Sequence, residues 1–220
     1  ENGSVGKLMV DVAEHLGKDP GHEQAARRPP GRRSKCGLRG ITSWVQNERL
    51  YYRGKAHIGG INLRGRVRHS LEAAVSDHVL LVQVREALVT VLERFGGPAV
   101  LNTWEEGRCS LSDEMVAATS AVLAEGGASG ADCACTFYGA VSAARKYIGC
   151  MLCTPHTRSI ATCLEHRRRL AAACAEGWPA TRATYLAIWG HDEPRIPGMH
   201  GAAYRSPLAK ARSLDAAYER

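Results

Sequence analysis

The sequence predicts a mainly α protein: an irregular bundle of five or six helices with an extended basic N-terminal arm and an irregular C-terminal tail. Three observations predict it. Apolar residues recur at helical spacing from Ser70 onward. Gly and Pro punctuate those stretches with short connections, which suits antiparallel helical neighbours. The charge is lopsided: residues 1–70 hold 14 Lys/Arg against 6 Asp/Glu, while residues 71–220 hold 15 against 16, within a net charge of +7. This pattern describes a basic extension over 1–69, a helical body over 70–190 and a tail over 191–220.

In the extension, Lys7 to Leu16 fits a short helix closed by Gly17 with Pro20 beyond. The run Ala25 to Lys35 contains Pro29, Pro30 and Gly31 among five cationic side chains, so it cannot hold a regular element or bury an apolar face. Residues 55–64 suggest a short hairpin. Ala56, Ile58, Ile61 and Leu63 alternate with polar residues about Gly59-Gly60.

The body begins at Ser70, a good N-cap, with Leu71, Val75, Val79, Val82, Leu88, Leu92 and Phe95 on a helix stopped by Gly96-Gly97-Pro98. A short helix follows from Pro98. Another starts near Ser110 to Asp113, carries Leu111, Met115, Thr119 and Val122, and ends at Gly126-Gly127. The spacing of Phe137, Val141, Ala144 and Ile148 predicts a helix from about Ala131 to Ile148. Two more run from Thr157 to Glu176 and from Pro179 to Gly190. The helix starts near 112, 131, 157 and 179 keep no fixed period, which argues against a repeat array. Pro194, Pro197 and Pro207 make the tail irregular, with a short helix near Leu208 to Tyr218.

No stretch approaches the ~20 apolar residues of a membrane span. Phosphate-loop, dinucleotide, nucleophile-elbow and zinc-protease motifs are missing from the sequence, so it points to no enzyme, and a small-molecule substrate is not expected. The eight cysteines have three readings. Cys150, Cys153, His156 and Cys163 offer four zinc-competent ligands within a short span. One disulfide across a helix hairpin is the second reading. Buried thiols are the third, since Cys163 and Cys174 share a helix face with Ile160 and Leu170. Arg167-Arg168-Arg169 suits a solvated helix face, with Arg167 nearest the apolar stripe, and Gly190 to Pro194 with His200 suits a surface loop.

The basic arm carries the functional expectation. Arg27, Arg28, Arg32, Arg33, Lys35, Arg39, Arg53, Lys55, Arg64, Arg66 and Arg68 can neutralise phosphates or contact an acidic partner. Trp44, Tyr51 and Tyr52 lie among them and can stack on unpaired bases. The expected role is a non-catalytic accessory subunit of a large ribonucleoprotein such as an organellar ribosome, with the arm on RNA, the body on other protein subunits and no cofactor. The alternatives are a supernumerary subunit of a mitochondrial membrane complex and a zinc-stabilised interaction module. The chain opens at Glu1, which suggests processing or a fragment and, with the accessory character, a mitochondrial or other organellar location.

Overall fold

A computed structural model describes residues 33–34, 38–102, 109–190, 214–216 and 218–219. It overturns the mainly α bundle, because an antiparallel sheet curled into a half-barrel supports the helices. The strands are β1 (Arg33–Ser34), β2 (Ile41–Gln46), β3 (Arg49–Ile58), β4 (Ile61–Arg64), β5 (Thr136–Val141) and β6 (Leu152–Cys153), and they lie side by side in chain order. The helices are α1 (Leu71–Arg94), α2 (Cys109–Glu125), α3 (Gly127–Cys133), α4 (Arg145–Ile148), α5 (Ile160–Glu176) and α6 (Trp178–Gly190). Single 3-10 turns occupy Pro98–Asn102 and Ser142–Ala144.

Local chemistry explains most of these elements. Asn47 and Glu48, both at positive φ, make the two-residue turn between β2 and β3. Gly59 and Gly60, also at positive φ, make the next one, and Lys55 pairs with Arg64 across that hairpin. Residues 55–64 form a hairpin about Gly59-Gly60, and residues 41–54, expected to be irregular, add β2 and the first part of β3 to the sheet. Their β-branched and aromatic residues alternate between two faces, and the buried set Ile41, Ile58, Ile61 and Leu63 needs a helical layer to cover it. Ser70 caps α1 by accepting the Ala73 N–H at 3.3 Å.

The predicted helix over 131–148 is the second correction. Thr136 to Val141 forms β5, and only Arg145–Ile148 is helical beyond it. Phe137 and Val141 are four apart, which fits both a helix stripe and one face of a strand. The half-buried Tyr138 between them, with β-favouring Thr136 and Val141, belongs to the strand solution.

Two parts of the chain repeat one another. β3, β4 and α1 form the first unit, and β5, β6 and α5 form the second. In the first, Tyr52 and Arg68 exchange backbone hydrogen bonds of 2.8 Å each, and Gly65 N–H donates to the Gly54 carbonyl. In the second, Phe137 and Thr157 exchange bonds of 2.7 and 2.9 Å, and Thr154 N–H donates to the Gly139 carbonyl. Each hairpin takes up one extra residue between its regular ladder and this terminal bridge, a bulge that bends the sheet. Each helix then starts three residues on, behind a serine whose side chain accepts the N–H three residues later: Ser70 from Ala73, Ser159 from Thr162. At matching helix positions His78 lies under Gly54 and Arg167 lies under Gly139. The units differ in their turns, Gly59-Gly60 in one and a longer connection containing α4 in the other.

The units join where β4 pairs with β5, from Ile61 opposite Gly139 to Arg64 opposite Thr136. α1 and α5 cover one face of the sheet, and α2 packs against both. The main core lies between them, with Leu63, Leu81, Val84, Leu88 and Phe137 fully or almost fully buried. A second apolar cluster, around Leu152, Leu170, Trp178 and Tyr185, holds α6 against α5. Among the described residues no helix is long and apolar enough to cross a membrane.

Candidate nucleic-acid interface

Strand alternation sends Ile41, Gly54, Ile58, Ile61, Leu63, Phe137 and Gly139 toward α1 and α5. Their neighbours face the other way. Among the described residues no helix covers this open face, and register fixes five rows across its strands, the first of them exposed Gln46 opposite exposed Arg49. Trp44 stands opposite Tyr51, and Thr42 opposite Arg53. Lys55 stands opposite Arg64, and His57 opposite Asn62, which in turn faces Tyr138 on β5. The Trp44–Tyr51 row and the His57–Asn62–Tyr138 row carry the rings, the two rows between them are cationic, and Arg49 places a further cation beyond the first.

The first aromatic row is continuous. Trp44 and Tyr51 stack with centroids 5.7 Å apart and planes within 14°. Tyr51 meets His69, just past the Tyr52–Arg68 bridge, at 4.6 Å. The second ring-bearing row ends in Tyr138 against His156, just before the Phe137–Thr157 bridge, at 4.5 Å. Each bridge therefore carries a tyrosine–histidine pair on the open face. Arg53 lies over the Trp44 ring at 5.5 Å and Arg64 over Tyr138 at 4.5 Å. Arg64 also donates from Nη2 to the Tyr138 hydroxyl at 2.8 Å, and its Nη1 lies 3.5 Å from His156 Nε2. Lys55 is exposed and directly opposite Arg64, a like-charged pair that costs a few tenths of a kcal/mol or more until an anion lies between them.

Not every expected contact residue joins this face. Tyr52 pairs with Ser43 and Arg68 and points to the helical side. Arg68 is a structural residue: its guanidinium grips buried Asp77 at 2.8 Å through two nitrogens and Asp132 at 2.6 Å. Those bonds, the Asp77 one first, push the Arg68 guanidinium further above its ordinary range and hold the Asp132 carboxyl below the usual carboxylate range. Arg66 pairs with the other oxygen of Asp132 at 3.0 Å. Arg39 is exposed in the turn before β2, away from the rows. Arg27, Arg28, Arg32 and Lys35 lie outside the described residues, as do the expected helix over Lys7 to Leu16 and the Gly190 to Pro194 loop beyond Gly190. Arg33 is placed only by its backbone in β1.

Asn62, His57, His69 and Tyr138 were not singled out from the sequence. Tyr138 was hidden by the helical reading of β5. The alternation His57, Ile58 and Ile61, Asn62, Leu63 was the available signal for the others.

The four zinc-competent residues do not converge. Cys150 and Cys153 are exposed, His156 packs at a tilt against Tyr138, and Cys163 is fully buried on α5. Burial pushes the Cys163 and Cys133 thiols up to about 12. Among the described residues no three His, Cys, Asp or Glu side chains are grouped as a metal ion requires. Cys133, Cys135, Cys150, Cys163 and Cys174 are free thiols, and all of these but Cys150 are buried. Arg167 is buried too and donates to the Leu101 carbonyl, so only its neighbours lie on the solvated side, where Arg168 pairs with Glu165 at 2.9 Å.

Comparison with protein-family models, curated proteins and solved structures returned no match.

Proposed function

We propose that this chain is a non-catalytic RNA-binding subunit of a ribonucleoprotein, and that RNA lies on the open face of the sheet. The observation that carries this reading is the placement of Arg53, Lys55 and Arg64 on one face, between two rows of aromatic rings. Cations supply the sequence-independent attraction to phosphate, and rings supply the contact to bases. The helical side, built from apolar packing, is the part left for protein neighbours. The sequence before β2 adds Arg27, Arg28, Arg32, Arg33 and Lys35 to the positive charge of the chain.

Binding of labelled RNA to the full chain, followed by fluorescence anisotropy at several salt concentrations, tests the proposal. The affinity falls as salt rises, with a log–log slope of roughly −0.7 to −0.9 per phosphate neutralised. Replacing Lys55 and Arg64 with Ala flattens that slope by about one for each residue. Salt-independent binding, or no binding, overturns the reading. Retention on acidic lipid vesicles without RNA binding would transfer the chain to the membrane-complex alternative.

A further inference from the structure

Resting on that reading, we propose that the ligand is an unpaired RNA strand held at two aromatic stations, one at each terminal bridge of the duplicated hairpins. The first station is Trp44, Tyr51 and His69, and the second is Tyr138 and His156.

Three observations carry this. The rings are not scattered: register gathers them in two rows of the open face and puts Arg53, Lys55 and Arg64 between them. A duplex has no use for such an arrangement, because its bases are already stacked on one another and only its phosphates and sugar hydroxyls are presented. A single strand uses all of it, with bases extending the ring stacks and phosphates crossing the cations. Finally, a tyrosine–histidine contact flanks each terminal bridge, at 4.6 Å on the side away from the turn in the first unit and at 4.5 Å on the turn side in the second.

The geometry also sets a length. Tyr51 and His57 mark the two ring-bearing rows on the same strand, β3, and that stretch of strand spans about 20 Å. At the roughly 3.4 Å rise of a stacked strand this is about six nucleotides, and fewer for an extended one. An oligonucleotide of about four nucleotides therefore occupies one station, and one of about ten occupies both.

The experiment measures anisotropy with the full chain at constant salt. The probes are labelled oligoadenylates of about four and about ten nucleotides, and the longer one annealed to oligouridylate. The longer strand binds at least about ten-fold tighter than the shorter, and tighter than its own duplex. Tyr51→Ala and Tyr138→Ala each weaken the longer strand by about ten-fold and abolish the advantage of length. Tyr51→Phe and Tyr138→Phe keep the ring and restore binding, which a loss of folding would not produce. Thermal unfolding of every variant separates lost contacts from lost structure.

The inference is overturned if duplex and single strand bind alike, if short and long strands bind alike, or if folded ring variants bind as the parent does. Loss of binding only on substituting Arg27, Arg28 and Arg32, with the ring variants unaffected, overturns the two stations and keeps RNA binding. Failure to bind any RNA overturns both.

Discussion

Glu48 stands in left-handed backbone at φ 62°, beside Asn47 at 50°. Asn tolerates that region and Glu does not, since its Cβ crowds the carbonyl. Glu48→Gly is expected to raise stability by about 1 kcal/mol, read as a shift of the urea midpoint with an unchanged slope. Asp77 is the opposite case. It is buried and receives two bonds from Arg68, so Asp77→Ala leaves a largely buried guanidinium short of its partner. The expected loss is about 3 kcal/mol by the same measurement. His78 supplies a pH dependence. Its ring presses on Gly40, and burial holds its pKa below the ordinary 6.5, with Arg85 lowering it further against a backbone hydrogen bond at Lys55. The unfolded chain then takes up a proton before the folded one does, so stability falls as pH drops below about 6.5. In His78→Gln the melting temperature should fall less between neutral pH and pH ~5. The capping role of Ser70 was legible in sequence because it depends only on residues within one helical turn. The roles of Arg66 and Arg68 were not, because Asp132 lies more than sixty residues away and nothing local distinguishes a tied cation from a free one.

Elements meet most closely where a strand passes over a helix. A Cβ on Gly54 would lie 3.0 Å from the Cα of His78, and one on Gly139 would lie 2.9 Å from the Cβ of Arg167. Neither neighbour can swing aside, so the helix would have to move off the sheet. Gly54→Ala and Gly139→Ala should each cost about 1–3 kcal/mol, and by similar amounts, because the two units share the arrangement. Calorimetry or denaturant unfolding of the pair checks both the size and the equality. The long helices α1, α5 and α6 were legible because each carries several turns of periodic apolar residues between recognisable stops. β5 was not. Six residues are too few to separate period 2 from period 3.6 when Gly139 and Ala140 sit among them, and the short helix after Val141 continues the apolar spacing through Ala144 and Ile148. The strand pairing that decides the matter comes from β4, far away in the chain.

At the scale of the molecule, thiol chemistry maps which layers are closed. Cys133 and Cys163 lie in the main core with their pKa values raised to about 12, whereas Cys150 and Cys153 are exposed near the β6 edge. Pulse alkylation of the native chain followed by peptide mapping should modify Cys150 and Cys153 first. Cys133 and Cys163 should react only on unfolding, at the rate of unfolding. The charge asymmetry in the sequence did point at the segment that forms most of the open face. It could not show that the cations are mounted on a sheet, since that requires pairing partners in both directions. The duplication was hidden for a related reason. The helix starts near 112, 131, 157 and 179 all lie after α1, while the counterpart of α5 is α1 itself, with strands and helices of unlike length between them.

The seam between the two units is short: four residue pairs, Ile61 with Gly139 through Arg64 with Thr136, join one hairpin to the other. Each half carries its own hairpin and its own covering helix. A chain that opens at this seam offers a second copy the same two strand edges that it offers itself. Exchange of halves between copies, which would re-form the Ile61–Arg64 and Thr136–Gly139 pairing between chains, is the misassembly this seam allows.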